Sequence, residues 1–198
     1  MHSQLFTMDP KVSVMAYGFW ELNINGQRML WHTGALSEFF TVCLLLPEHN
    51  VGLFASYNSP GGNLEIVPLV KAFLDQYYPI SPEASHSPPA DFSQRAGKFT
   101  GAYRSVRMYY TTFAKVASIL NEIDVTSTSN GTLLMNGVQW VEVAPLIFRP
   151  YGSPPALNNS LVFREDAQGQ ITYFFLSNNV PSAYERVPWY ETAFSLLA

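Results

Sequence analysis

Residues 39–57 read FFTVCLLLPEHNVGLFASY, and this stretch decides the fold of the first part of the chain. Two nearly continuous apolar runs, Phe39–Leu46 and Val51–Tyr57, flank the turn-forming residues 47–50. Short apolar runs bounded by turn residues are typical of buried strands. The stretch therefore predicts two antiparallel strands joined by a short turn. Since both strands are apolar on each face, they are expected to need cover on both sides.

The residues before this stretch predict a β-hairpin. Met15–Asn23 mixes aromatic with small or polar positions, as a strand does. Asn25-Gly26 follows, and this pair is the strongest short hairpin signal because both residues tolerate positive φ. Arg28–His32 is then the returning strand.

The residues after it predict a closing helix over Asn63–Tyr78, where apolar residues recur at helical spacing. Asn63 is a plausible N-cap, and Pro79 ends the helix. Pro68 is tolerated only if the helix proper begins near it. Residues 1–80 are therefore predicted to form an antiparallel sheet with a helix at its C-terminal end.

A proline- and serine-rich stretch, residues 81–91, predicts a linker to a second module. Beyond it, short strand-like runs are separated in many cases by glycine-containing turns, which predicts a small antiparallel barrel or sandwich over residues 92–190. Residues 191–198 are a tail, and a short helix is predicted at Phe113–Ile123. The predicted strands are Gly97–Arg104, Tyr109–Phe113, Asp124–Thr128, Thr132–Met135, Gln139–Val143, Leu146–Pro150, Ser160–Arg164, Ile171–Leu176 and Ala183–Val187.

Composition excludes several classes of protein. Hydrophobic residues make up 47% of the chain and charged residues 13%, which argues against disorder. The net charge is −4 and no basic cluster is present, so no nucleic-acid partner is expected. His, Cys, Asp and Glu do not cluster at ligand spacing, so neither a metal nor another cofactor is expected. Cys43 is the single cysteine and is predicted to be a buried core thiol.

The most informative motif is His32-Thr33-Gly34, which ends a predicted strand. Together with Tyr17-Gly18-Phe19, residues 45–48 and Asn58, it resembles the C-terminal part of the β-lactamase-related serine hydrolases. That family includes class C-type β-lactamases and penicillin-binding-protein-like peptidases and esterases. The resemblance implies an α+β fold for the first module, a partial serine β-lactamase-like fold of antiparallel sheet plus C-terminal helix.

The same resemblance implies a role for His32, Thr33 and Gly34 as the strand motif that borders the active site. A strand edge supplies a backbone N–H to the oxyanion and aligns the substrate by adding it to the sheet. The imidazole biases the site towards negative charge, the threonine hydroxyl offers a hydrogen bond, and glycine permits close approach of the substrate.

The other motifs of the family are missing. Its nucleophile is the serine of Ser-x-x-Lys, and no serine here has a lysine three residues later. Ser-x-Asn occurs at Ser56 and Ser177, but both follow His32-Thr33-Gly34, which is the wrong order. The chain is therefore expected to be the C-terminal part of an ester, amide or β-lactam hydrolase, inactive alone, which meets its substrate only with the missing N-terminal part.

The second module also resembles the β-rich C-terminal extension of these hydrolases, notably in residues 99–104 and 184–190. This resemblance implies membrane attachment in the full-length parent, which would be exported or membrane-associated, although the sequence itself assigns no compartment. The alternative is a non-catalytic β-rich module for binding or for a structural role near a membrane. In either case the uncovered apolar strands predict self-association of the isolated chain.

Overall fold

The computed structural model describes residues 1–7, 9, 15–80, 86–112, 121–152, 159–177 and 182–197. The chain divides into two compact units, the first running to Glu83 and the second beginning at Ala84. Part of the predicted linker, residues 81–85, lies outside the described residues, as do residues 113–120 of the predicted short helix.

The first unit contains a six-stranded sheet whose strands neighbour one another in chain order. All the pairings between neighbours are antiparallel. The strands are β1 (Gln4–Phe6), β2 (Met15–Ala16), β3 (Trp20–Ile24), β4 (Gln27–Leu36), β5 (Phe39–Leu46) and β6 (Val51–Tyr57).

The central strands confirm the sequence prediction. Strands β5 and β6 have the predicted bounds and pair along their length, from Phe40 opposite Tyr57 to Leu46 opposite Val51. The β3–β4 turn is the predicted Asn25-Gly26 hairpin, with φ of 52° and 70°. The prediction of one strand over Met15–Asn23 is wrong, because the chain bends between β2 and β3.

Helix α1 (Gly62–Tyr77) covers one face of this sheet. Its buried side chains Ile66, Val70 and Leu74 recur at helical spacing, and alternate residues of β5 are fully buried. The helix begins after Gly61, so the predicted Asn63 cap is wrong. Pro68 lies well inside the helix, and its side chain is exposed. The helix therefore does not begin near Pro68, contrary to the prediction. Packing of the apolar face of α1 offsets the backbone hydrogen bond that proline cannot donate.

The second unit contains a closed, eight-stranded antiparallel barrel in which sequential strands are neighbours and β14 pairs with β7. The helices α2 and α3 of this unit have only four and five residues. Its elements are α2 (Phe92–Arg95), β7 (Gly101–Ser105), β8 (Glu122–Ser127), β9 (Leu133–Met135), β10 (Val138–Ala144), β11 (Ile147–Pro150), β12 (Leu161–Glu165), β13 (Ile171–Leu176), β14 (Ala183–Arg186) and α3 (Ala193–Leu197).

Aromatic side chains form the core of the barrel. The ring centroids of Phe99 and Phe163 are 5.0 Å apart, and those of Tyr103 and Phe174 are 4.9 Å apart. The Tyr103 hydroxyl donates a hydrogen bond of 2.8 Å to the carbonyl oxygen of Phe99. Burial raises the pKa of Tyr103 to about 12. Phe92 of α2 belongs to the same core, so this short helix is anchored to the barrel by its first residue.

An ion pair of Arg95, the last residue of α2, also attaches this helix to the barrel. The Arg95 guanidinium is paired with the buried carboxylate of Glu142 on β10 and with Asp91, 2.9 Å away. The second oxygen of Glu142 accepts a hydrogen bond from the backbone N–H of Leu146. Removing Arg95 would therefore leave a buried carboxylate without its counter-charge.

The predicted α+β class is wrong. The described residues are mostly β, with 45% strand and 20% helix, so the antiparallel sheet and α1 of the first unit do not amount to the predicted β-lactamase-like fold. The helical spacing predicted over Asn63–Tyr78 accounts for α1 alone, and α1 is the only long helix in the part of the chain that the structure describes. The predicted barrel is confirmed. Residues 109–112 form no strand.

Candidate functional site

Strand β4 extends beyond its neighbour β3, and this overhang carries the predicted motif. The β3–β4 ladder ends where Trp20 lies opposite Trp31. On its other side, β4 remains paired with β5 up to Leu36, opposite Phe39. No described strand pairs with residues 32–36 on the β3 side, so within the described part of the chain this segment is an unpaired sheet edge. An unpaired edge presents backbone N–H and C=O groups in the spacing that an extended ligand needs.

The side chains of His32 and Thr33 lie on opposite faces of the sheet. His32 is exposed, and its ring centroid is 5.7 Å from that of Trp20. Thr33 is half-buried and lies opposite Val42, a residue on the face covered by α1. Neighbouring residues of a strand point to opposite faces of the sheet. A ligand on one face can therefore contact only one of these side chains, whereas a ligand at the edge can contact both.

Gly34 lies opposite Thr41, and the space beside it is already filled. A Cβ atom added at Gly34 would come within 2.6 Å of Thr41 Oγ1. A larger residue would therefore force the Thr41 side chain to move. Gly34 itself is exposed, so the backbone at this position is open to close approach from outside.

The turn that follows the motif places two apolar side chains in solvent. Leu36 is 76% exposed and Phe39 is 57% exposed, and the two lie opposite each other at the tip of the β4–β5 hairpin. Glu38 in the turn has a φ of 68°, a conformation that costs a non-glycine residue energy. Sequence analysis missed this turn, since Ser37-Glu38 contains no Gly, Pro, Asn or Asp, and serine alone is a weaker turn signal.

Two tryptophans next to the motif were also missed. Trp20 and Trp31 pack edge to face with ring centroids 6.2 Å apart. Trp31 is buried, and its indole N–H has no hydrogen-bond partner among the described residues. Cys43, directly opposite His32, is half-buried, so the prediction of a buried core thiol is wrong.

The described lysines are already engaged in ion pairs. Lys71 is paired with Asp75 on α1, and Lys98 with Glu165 on β12. Each amine thus contacts a carboxylate, and among the described residues neither contacts a serine hydroxyl as the Ser-x-x-Lys motif requires.

Neither metal ligation nor membrane crossing has a structural signal in the described residues. Over those ranges, no three His, Cys, Asp or Glu side chains are grouped so that they could hold a metal ion. None of the helices in the described part of the chain is both long enough and apolar enough to span a membrane.

Comparison with known proteins gives a structural likeness without sequence support. No protein-family model matches the chain, and no curated protein matches it. A crystal structure of SurE with D-Leu matches with a TM-score of 0.52 and 17% identity, covering 94% of this chain and 42% of SurE. A second SurE structure matches with a TM-score of 0.44 and 17% identity, covering 85% of this chain and 36% of SurE.

The octameric penicillin-binding protein homologue from Pyrococcus abyssi has a TM-score of 0.31 and 11% identity, covering 93% of this chain and 40% of that protein. This value and that of the second SurE structure are too low to support an argument. The chain spans less than half the length of the SurE chain. The likeness to SurE with D-Leu shows similarity of fold alone, and the predicted serine-hydrolase family has no support from sequence comparison.

Proposed function

We propose that the first unit supplies the substrate-aligning strand of a serine acyl-transfer hydrolase and that the chain is inactive alone. The observation that carries this proposal is the overhang of β4, which leaves residues 32–36, with His32-Thr33-Gly34, as an edge that no described strand pairs with on the β3 side. An extended amide or ester substrate would add to this edge as a further strand.

The chemistry of the edge suits a carbonyl substrate. Backbone N–H groups along the edge can stabilise the negative charge that develops on the carbonyl oxygen during acyl transfer. The exposed Gly34 lets the substrate backbone approach closely, and His32 places an imidazole beside it. In this proposal the motif binds the substrate and polarises its carbonyl group, while the attack on the carbonyl carbon requires a separate nucleophile.

The proposed nucleophile is a serine of Ser-x-x-Lys in a polypeptide segment outside this sequence. No serine in the chain has a lysine at the required position. Lys71 and Lys98 are held by carboxylates, which argues against an alternative lysine-activated serine among the described residues.

The ligand to test first follows from the comparison. SurE was crystallised with D-Leu. We therefore propose a peptide-like acyl substrate carrying a D-amino acid, and N-acetyl-D-Leu amide is the simplest probe of this class. Its two amide groups can pair with a strand edge, while its L-enantiomer serves as the stereochemical control.

NMR titration of the ¹⁵N-labelled chain with this probe tests the proposal. We expect shift changes concentrated on the amides of residues 33–36, weakened in Gly34→Ala and retained in the matched variant Gly52→Ala on β6. Shifts that are absent or scattered over the chain would contradict the role of the strand. A fluorescent penicillin should leave the chain unlabelled, and a covalent adduct at a defined serine would contradict the external nucleophile.

The alternative, a non-catalytic β-rich binding module, is favoured by a different observation. The exterior of the barrel has an open groove of about 570 Å³ lined by residues that include Ile171, Thr172, Arg186 and Trp189. Trp189 is 78% exposed. If the probe shifts Thr172 and Trp189 amides and leaves residues 33–36 unchanged, the module function replaces the hydrolase proposal.

A further inference from the structure

Strand β6 is the last strand of the six-stranded sheet, and one of its edges has no partner strand among the described residues. It pairs with β5 through all seven of its residues. On its other side no described strand follows in the sheet order. This edge is separate from the β4 overhang, so it does not depend on the function proposed for His32-Thr33-Gly34.

The β6 edge lacks the features that normally prevent strand pairing between molecules. Natural edges are protected by charged side chains, proline, bulges or short length. Residues 51–57 read VGLFASY and contain no charge and no proline. The β5–β6 register advances one residue at a time, without a bulge. An edge of this kind is competent to accept another strand.

The side chains of β6 alternate between two environments. Val51, Leu53, Ala55 and Tyr57 are half-buried, whereas Gly52, Phe54 and Ser56 are exposed. Phe54 is 69% exposed although it is a large apolar residue at the centre of the strand. The face opposite α1 thus presents one aromatic ring between two small residues.

We propose that β6 pairs antiparallel with β6 of a second copy of this chain, about a two-fold axis at Phe54. This register places Phe54 opposite Phe54 of the second copy and Gly52 opposite Ser56. The two rings would pack together on the exposed face, with room provided by the small residues on either side. The two sheets would then continue as one across the axis.

The occupant is a second copy because the strand complements itself. Two-fold antiparallel pairing satisfies the same backbone groups in both molecules, which is the geometry of an isologous dimer. The centre of the seven-residue strand coincides with its one exposed aromatic residue, so all seven positions find a partner in this register. No charge opposes the contact.

Light scattering after size-exclusion chromatography tests this proposal on the full chain over a range of concentrations. We expect a species of twice 22.2 kDa at high concentration. In Phe54→Lys, loss of the ring pair and juxtaposition of like charges should weaken dimerisation by about tenfold or more. The matched control is Leu5→Lys on β1, whose side chain is 54% exposed, because β1 lies at the opposite end of the sheet order from β6.

A charge exchange separates pairing through β6 from a change in folding. Phe54→Lys and Phe54→Glu should each dimerise at least about tenfold more weakly than the unmodified chain, with unchanged circular dichroism, and mixing them should restore a dimer with one copy of each. A monomer for the unmodified chain at all concentrations would overturn the proposal. So would a Phe54→Lys dimer as tight as that of the unmodified chain, or a stoichiometric complex in which β6 is protected by a different polypeptide.

Discussion

The side-chain amide of Asn25, in the first hairpin turn, donates a hydrogen bond of 3.0 Å to the carboxylate of Asp75 near the end of α1. The same amide donates a second bond, of 3.2 Å, to the carbonyl oxygen of Tyr78. Asn25 is buried and has positive φ. One residue therefore shapes the β3–β4 turn and fastens it to the C-terminal end of the helix, 50 positions later in the chain.

Substitution of Asn25 should separate these two roles. Asn25→Gly keeps the left-handed backbone and loses the hydrogen bonds, which we expect to cost about 1–3 kcal/mol. Asn25→Ala should cost about 1 kcal/mol more, because alanine also strains the turn. Hydrogen exchange of the β3–β4 amides measures both values, and equal costs would contradict the role assigned to the backbone conformation.

The acid stability of the first unit should depend on Asp75. The ion pair with Lys71, and next the hydrogen bond from Asn25, lower the pKa of this carboxyl. A depressed folded-state pKa stabilises the native state above the unfolded-state value of about 3.9, and this contribution is lost as pH falls through the lower folded value. Asp75→Asn should reduce this loss of stability on acidification. Hydrogen exchange of the α1 amides, followed from about pH 5 to below the folded-state pKa, measures it.

The control for that experiment is Asp124→Asn on the exposed surface of β8, which removes a carboxylate from the second unit. It should leave the acid profile of α1 unchanged. If both variants changed the pH dependence of α1 exchange equally, net charge, and not the contact of Asp75 with Lys71 and Asn25, would determine the acid stability.

The barrel should lose stability at alkaline pH through Tyr103. Its pKa is raised to about 12 by burial. An unfolded tyrosine ionises near pH 10, so this contribution is complete below about pH 10 and is lost as pH rises towards 12. Tyr103→Phe should remove that dependence and, at neutral pH, cost about 0.5–1.5 kcal/mol for the hydrogen bond to Phe99. Denaturant titrations of both proteins at neutral pH and at alkaline pH measure the free energies of unfolding.

Gly34 and Thr41 should be energetically coupled. Gly34→Ala alone is expected to cost about 1–3 kcal/mol, because the new methyl group meets Thr41 Oγ1. Thr41→Ala removes that obstacle, so the double variant should cost less than the two single changes added together. A double-mutant cycle measures the difference, and strict additivity would show that the two side chains do not compete for space.

Strand positions were predictable where apolar runs end at turn residues. Strands β5, β6 and β13 have the predicted bounds, and the Asn-Gly turns at residues 25 and 136 adopt positive φ as expected. The barrel followed from the regular spacing of short strands, but its closure depends on the pairing of β14 with β7. That long-range contact has no local signature.

The candidate site was predictable only as a motif. The sequence places His32-Thr33-Gly34 at a strand end. The overhang, however, depends on where β3 begins, and β3 begins only at Trp20 because the chain bends at residues 17–19. The crowding beside Gly34 comes from Thr41 on another strand. Alternation and turn rules describe neighbours along the chain, so neither feature could be derived from them.

The contact between the first and last barrel strands has a consequence for how the second unit can be rewired. Because β7 and β14 are hydrogen-bonded neighbours, with Arg186 opposite Tyr103, the two strand ends meet at the same rim. A linker that retains α2, whose Phe92 belongs to the barrel core, could join them, and new termini could be opened at the β12–β13 turn around Gly169. Such a circular permutant should retain the barrel, since every strand would keep both of its partners.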